Sequence, residues 1–114
     1  MAVPAASNVP RVDFRNDAEH HRYVLEDDGE VVAFTEYEQR HDRLLFPHTE
    51  VADGYEGRGL AGDLVRQALD DVRVQGHRVV PLCTYVRGWI ERHPEYADLV
   101  DAELTERYLA EAGD

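Results

Sequence analysis

The chain has 114 residues, with 24 acidic side chains against 12 basic ones and a formal net charge of -12. That length suits one domain with one core and one shallow cleft, and excludes a two-domain enzyme. The acidic balance works against attraction to nucleic acid or an anionic membrane surface, so an anionic ligand has to be held by local chemistry.

Residues 1–10 hold two prolines and little pattern, and read as a loose lead-in to a single domain spanning 1–114, with structure starting near Val12. Tyr23, Val24 and Leu25 run into Asp27-Asp28-Gly29, and Val31 to Tyr37 follow, which is the pattern of a hairpin with a glycine-containing turn. A second turn falls at His41-Asp42, and Leu44 to Val51 make the next strand. Strict alternation there puts Leu44, Phe46, His48 and Glu50 on one face and Leu45, Thr49 and Val51 on the other. Pro47 has no N–H to give a ladder, so it marks a bulge or an edge.

A glycine-rich turn, Tyr55-Glu56-Gly57-Arg58-Gly59-Leu60-Ala61-Gly62, comes next. Leu60, Leu64, Val65, Ala68, Leu69 and Val72 then recur at helical spacing, which predicts an amphipathic helix ending near Gly76. Arg78 to Cys83 reads as a short buried strand, and Val86 to His93 as a short helix stopped by Pro94. Asp101 to Ala112 forms a closing amphipathic helix with Leu104, Tyr108 and Leu109 on one side. The order of three or four antiparallel strands, helix, strand, short helix and terminal helix makes an α+β or mixed α/β sandwich. Trp89 and Tyr96 are expected to pack the short helix on the sheet, and His20, His21, His41 and His77 to be solvated in or near turns.

No apolar run approaches the ~20 residues that a spanning helix requires, and residues 1–10 carry neither a basic nor an apolar signal region. One cysteine, Cys83, excludes an internal disulfide. The expectation is a cytoplasmic protein. No HExxH, CxxC or comparable ligand spacing occurs, so no metal is expected.

The glycine turn is where chemistry concentrates. The first turn of a helix leaves N–H groups without intrahelical partners at the positive end of its dipole, and glycines let an anion approach the backbone. The expected guest is a diphosphate. Gly57 to Gly62 also satisfies G-x-G-x-x-G, but the dinucleotide fingerprint needs its glycines directly after a first strand and an acidic residue closing the next. Ala52 to Glu56 intervene, and His77 to Cys83 holds no carboxylate.

Read as [Gln/Arg]-x-x-Gly-x-[Gly/Ala], the segment Glu56-Gly57-Arg58-Gly59-Leu60-Ala61 resembles the acyl-CoA loop of the GNAT superfamily of N-acetyltransferases, with Glu56 standing where Gln or Arg is usual. With His48-Thr49-Glu50-Val51 before it, and Pro81-Leu82-Cys83-Thr84-Tyr85-Val86 and His93-Pro94-Glu95-Tyr96 after it, the chain is similar to a small, stripped-down GNAT subfamily of about one hundred residues. The resemblance covers about residues 12 to 100.

It implies a mostly antiparallel sheet whose fourth and fifth strands splay apart, with acetyl-CoA as acyl donor. Thr49, Glu50 and Val51 would lie along the pantetheine arm. The backbone of Gly57, Arg58, Gly59, Leu60 and Ala61 would hold the diphosphate, with Arg58 adding a charge. Glu50 or His48 would take the proton from the incoming amine, with Glu50 preferred, and Tyr85 would protonate the departing thiolate. Cys83 is read as lining the wedge, with an acetyl-Cys83 intermediate as the alternative. Arg87 and Arg92 either reach the adenosine 3′-phosphate or form a solvated helix face. The implied function is transfer of an acetyl group to an amine in a ternary complex, and its rival is an acyl-CoA-binding module without turnover.

Overall fold

The computed structural model describes residues 12–112, so the lead-in expected at residues 1–10 lies outside the described residues. Five strands form one sheet in the order β1 (Val12–Asp17), β2 (Arg22–Asp27), β3 (Glu30–Arg40), β4 (Arg43–Val51) and β5 (Arg78–Pro81). Neighbours from β1 to β4 are antiparallel, whereas β4 and β5 run parallel. A parallel pair needs a crossover, and α1 (Leu60–Val74) supplies it. The chain ends with α2 (Thr84–Arg92), a 3-10 segment (Pro94–Leu99) and α3 (Ala102–Ala112).

The expected hairpin closes through Asp28 and Gly29, both at positive φ, the two-residue turn whose twist matches the flanking strands. The stripe read from the sequence is the buried face of α1: Leu60, Leu64, Val65, Ala68, Leu69 and Val72 are all buried. They pack on one face of the sheet against Tyr23, Leu25, Ala33, Tyr37, Leu44 and Phe46. Tyr23 ties the layers together by donating its hydroxyl to Asp71 of α1 at 2.7 Å.

The opposite face is covered at its β4–β5 end by α3. Asp101 caps that helix, accepting from the N–H of Leu104 at 3.0 Å while Arg43 of β4 pairs with it at 2.8 Å. Leu45 faces a hollow that it shares with Leu104 and Tyr108.

Several expectations need correction. The fifth strand stops at Pro81 rather than Cys83, because Cys83 already acts as the N-cap of α2. Trp89 and Tyr96 also pack on α1: Trp89 lies over Gly62, and the Tyr96 hydroxyl donates to Asp70 at 2.7 Å. The 3-10 segment after Pro94 was not foreseen. His77 is half-buried rather than solvated, with its Nδ1 lacking a partner among the described residues. His20, although exposed, sits 2.9 Å from the buried carboxylate of Asp17.

The strict alternation predicted along β4 fails at one place. Glu36 pairs with His48 but Glu38 pairs with Leu45, so Phe46 and Pro47 together face Tyr37. That is a bulge, as the missing N–H of Pro47 suggested, and it inverts every side chain beyond it. Leu44 and Phe46 therefore share the α1 face with Thr49 and Val51, while His48 and Glu50 join Leu45 on the other.

Candidate active site

The sheet opens at the bulge. Parallel pairing of β4 with β5 runs from Arg43–Arg78 to Phe46–Pro81 and ends there. One last bond, Cys83 N–H to the Phe46 carbonyl at 2.7 Å, closes the apex. Beyond it the chain turns into α2 while β4 continues to Val51 alone on that side.

The free backbone groups follow from the ladder. The N–H of Ala52 donates to the Val32 carbonyl at 2.8 Å, and antiparallel strands alternate between bonded and outward-facing residues. Thr49 and Val51 thus turn their N–H and C=O groups away from β3 and into the opening. Among the described residues no strand meets them there.

The glycine turn stands at the mouth of this opening. Gly57 and Gly59 have φ of 80° and 77°, a region where a Cβ is costly, and Gly59 is the N-cap of α1 without any side-chain cap. Asp63 N–H closes the first turn on the Gly59 carbonyl at 3.1 Å, so the N–H groups of Leu60, Ala61 and Gly62 have no intrahelical partner. Val51, Gly57, Gly59, Leu60, Ala61 and Tyr85 line one cleft of about 240 Å³. Glu56 also borders it, but its carboxylate bends back to accept the N–H of Gly54 at 3.0 Å. Arg58 lies over the ring of Tyr55, 4.9 Å from its centroid, and the Tyr55 hydroxyl donates to Asp27 at 3.0 Å. The turn is thereby fastened to the β2–β3 hairpin.

Tyr85 occupies the first turn of α2, half-buried, with its hydroxyl over the start of α1. A Cβ built on Gly62 would lie 3.4 Å from Trp89 Nε1 and 3.7 Å from the Tyr85 hydroxyl, so the absent side chain lets the two helices approach. Burial pushes the Tyr85 hydroxyl above the usual tyrosine value, with Arg92 pulling the other way. It stays protonated at neutral pH.

Cys83 is half-buried, and its Sγ donates to Thr49 Oγ1 at 3.5 Å. Thr49 Oγ1 in turn lies 2.9 Å from Thr35 Oγ1, which is almost fully buried. On the far face, His48 Nε2 and Glu50 Oε2 are 2.7 Å apart, both exposed, with the His48 ring edge-on to Phe34. The predicted residues therefore form three groups: the turn with Val51 and Tyr85, Cys83 with Thr49, and His48 with Glu50.

Arg87 does not extend toward a nucleotide. Its guanidinium donates to the carbonyls of Pro81 and Leu82, at 3.4 and 3.0 Å, and holds the turn out of β5. Sequence reasoning placed Tyr55 and Gly62 in the glycine turn without giving either a role of its own, and missed Thr35. A signal existed for Gly62, since a glycine inside a helix costs about 1 kcal/mol against alanine and calls for a packing reason. Among the described residues, ligand atoms of Asp17, Glu19 and His20 cluster within 4.8 Å. Asp17 already accepts from His20 and Arg22, with Arg15 beside it, and the two guanidinium charges oppose a metal ion there.

A mixed sheet that splays beside a glycine turn, with a helix start free to receive an anion, has the GNAT architecture. The family pattern described as GCN5-related N-acetyl-transferase matches residues 22–99, and the chain belongs to that family. Protein NATD1 of Bos taurus is 40% identical over 47 residues, 41% of this chain and 42% of that one. Protein NATD1 of Homo sapiens is 38% identical over the same length. The chain thus aligns with about two fifths of these relatives' length. The solution structure of a GCN5-like putative N-acetyltransferase from Staphylococcus aureus is similar with a TM-score of 0.62 at 18% identity, covering 82% of this chain and 89% of that one. An N-acetylglutamate synthase from Neisseria gonorrhoeae, complexed with coenzyme A and N-acetyl-glutamate, gives 0.53 at 18% identity, over 79% and 23%. Both likenesses concern the fold.

Proposed function

We propose that this protein transfers the acetyl group of acetyl-CoA to an amine by direct attack in a ternary complex. The observation that carries the reading is a continuous line of unsatisfied backbone groups. It starts at the N–H groups opening α1 and runs down the free edge of β4 at Val51 and Thr49. A diphosphate fits the first part, where hydrogen-bond donors and the helix dipole act together. A pantetheine arm, which carries two amides, fits the second as an added strand would. Arg58 supplies positive charge, and the Glu56 carboxylate is turned back onto the Gly54 N–H.

The two faces of the sheet would then divide the chemistry. On one face, Glu50 and His48 act as a hydrogen-bonded pair that accepts the proton of the attacking ammonium. On the other, the neutral hydroxyl of Tyr85, placed over the start of α1, protonates the departing thiolate. The thioester lies between them in the wedge. Direct attack is preferred to an acetyl-Cys83 intermediate because the Cys83 thiol donates to Thr49 and, among the described residues, no histidine or carboxylate bonds to it. No helix is long and apolar enough to cross a membrane among the described residues, and we take the protein to work in the cytoplasm.

The test is turnover of acetyl-CoA with a panel of amines, beside calorimetric binding of CoA. Amine-dependent release of free thiol above background is the expected result. Binding without turnover by any amine would favour the non-catalytic module, and absence of CoA binding by folded protein would overturn both readings.

A further inference from the structure

We propose that Cys83 and Thr49 act as a latch across the apex of the wedge and limit the acyl group to two carbons. The proposal rests on the wedge being the acyl-CoA site.

The apex is closed twice. The backbone bond from Cys83 N–H to the Phe46 carbonyl, 2.7 Å, joins the strands, and the contact from Cys83 Sγ to Thr49 Oγ1, 3.5 Å, bridges them again on the α1 side. Thr49 cannot swing aside freely, since its hydroxyl is held 2.9 Å from that of Thr35, a residue 1% exposed. Behind this chain lies a space walled by Thr35, Phe46, Val65, Ala68, Leu69 and Val86 that is too tight to admit a water molecule. On the α1 side a group arriving at the latch has nowhere further to go. Interiors packed to this density do not yield to an extra carbon without strain.

The direction of the arm brings the acyl end to that point. The diphosphate end is fixed at the start of α1, and the amides of the arm pair in sequence with Val51 and Thr49. The sulfur follows the second amide, so it comes to rest beside Thr49, on the open side of the latch. An acetyl group ends at the latch, and each added methylene meets the Cys83 sulfur or the Thr49 methyl. Removing one heavy atom from either residue makes room for one heavy atom of substrate. The assignment thus gives these two residues a role in donor choice that needs no covalent chemistry.

The experiment measures calorimetric affinities of the full chain for CoA, acetyl-CoA and propionyl-CoA. The wild type should hold propionyl-CoA about tenfold more weakly than acetyl-CoA, the scale of one misplaced methylene. Cys83→Ala and Thr49→Ser should each bring the two within about threefold, while Cys83→Ser, which keeps a heavy atom and a donor in place, should retain most of the preference. Two independent openings guard against one variant that does not fold, and thermal melts report folding directly. Equal affinities in the wild type, or a preference untouched by both openings, would overturn the latch while leaving CoA binding intact. Loss of CoA binding in folded wild-type protein would overturn the site itself.

Discussion

Replacing Gly59 separates charge from shape in the glycine turn. Asp and Asn are nearly isosteric, and both tolerate the left-handed backbone that Gly59 adopts at φ 77° better than other residues do. Gly59→Asp and Gly59→Asn should therefore lose similar stability, on the order of 1 kcal/mol. They differ by one negative charge at the N-cap of α1, where the diphosphate is proposed to sit. At ~4 Å from one phosphate charge the repulsion is about 1 kcal/mol in water and about 4 kcal/mol at a protein surface. The Asp variant should therefore bind CoA between about fivefold and several hundredfold more weakly than the Asn variant. Gly59 is exposed, which favours the lower end, and the gap should shrink as salt is raised. Titration calorimetry at two ionic strengths reads all of this. Equal affinities for Asp and Asn at low salt would refute the placement of the diphosphate.

Tyr85→Phe should lower kcat by about a hundredfold with little change in the KM for acetyl-CoA, because the hydroxyl is needed only as the thiolate leaves. A matching rise in KM would instead assign Tyr85 to binding. Gly62→Val would push branched carbons into Trp89 and Tyr85, and is expected to cost about 1–3 kcal/mol in denaturant unfolding. Asp101→Ala removes the cap of α3 and the partner of Arg43, and should destabilise by at least about 1 kcal/mol. The acid limb of stability follows from two carboxylates. The bond from His20, with Arg22 and Arg15 behind it, holds Asp17 below its ordinary value, and the Leu104 N–H and Arg43 do the same for Asp101. Because the unfolded chain takes up these protons first, their stabilisation should be complete above ~pH 4 and decline as pH falls through the lower folded values. Melting curves of Asp101→Asn should show a shallower decline than the wild type.

The sequence by itself determined the elements whose signals are local. The stripe from Leu60 to Val72 can bury only one face of a helix, the turn at Asp28-Gly29 can reverse only with positive φ, and a glycine turn opening a helix must leave N–H groups unmatched. Pro47 announced a disturbed ladder because it has no proton to donate. What the disturbance did was settled by tertiary pairing. Two residues of β4 against one of β3 reversed the faces beyond the bulge, which set Thr49 beside Cys83 and sent His48 and Glu50 to the other side. Likewise, Gly62 acquired a reason only when α2 lay against α1, and Thr35 joined the site only through a partner fourteen residues away. Period and turn chemistry are written residue by residue, whereas register and helix-on-helix approach depend on which distant surfaces meet.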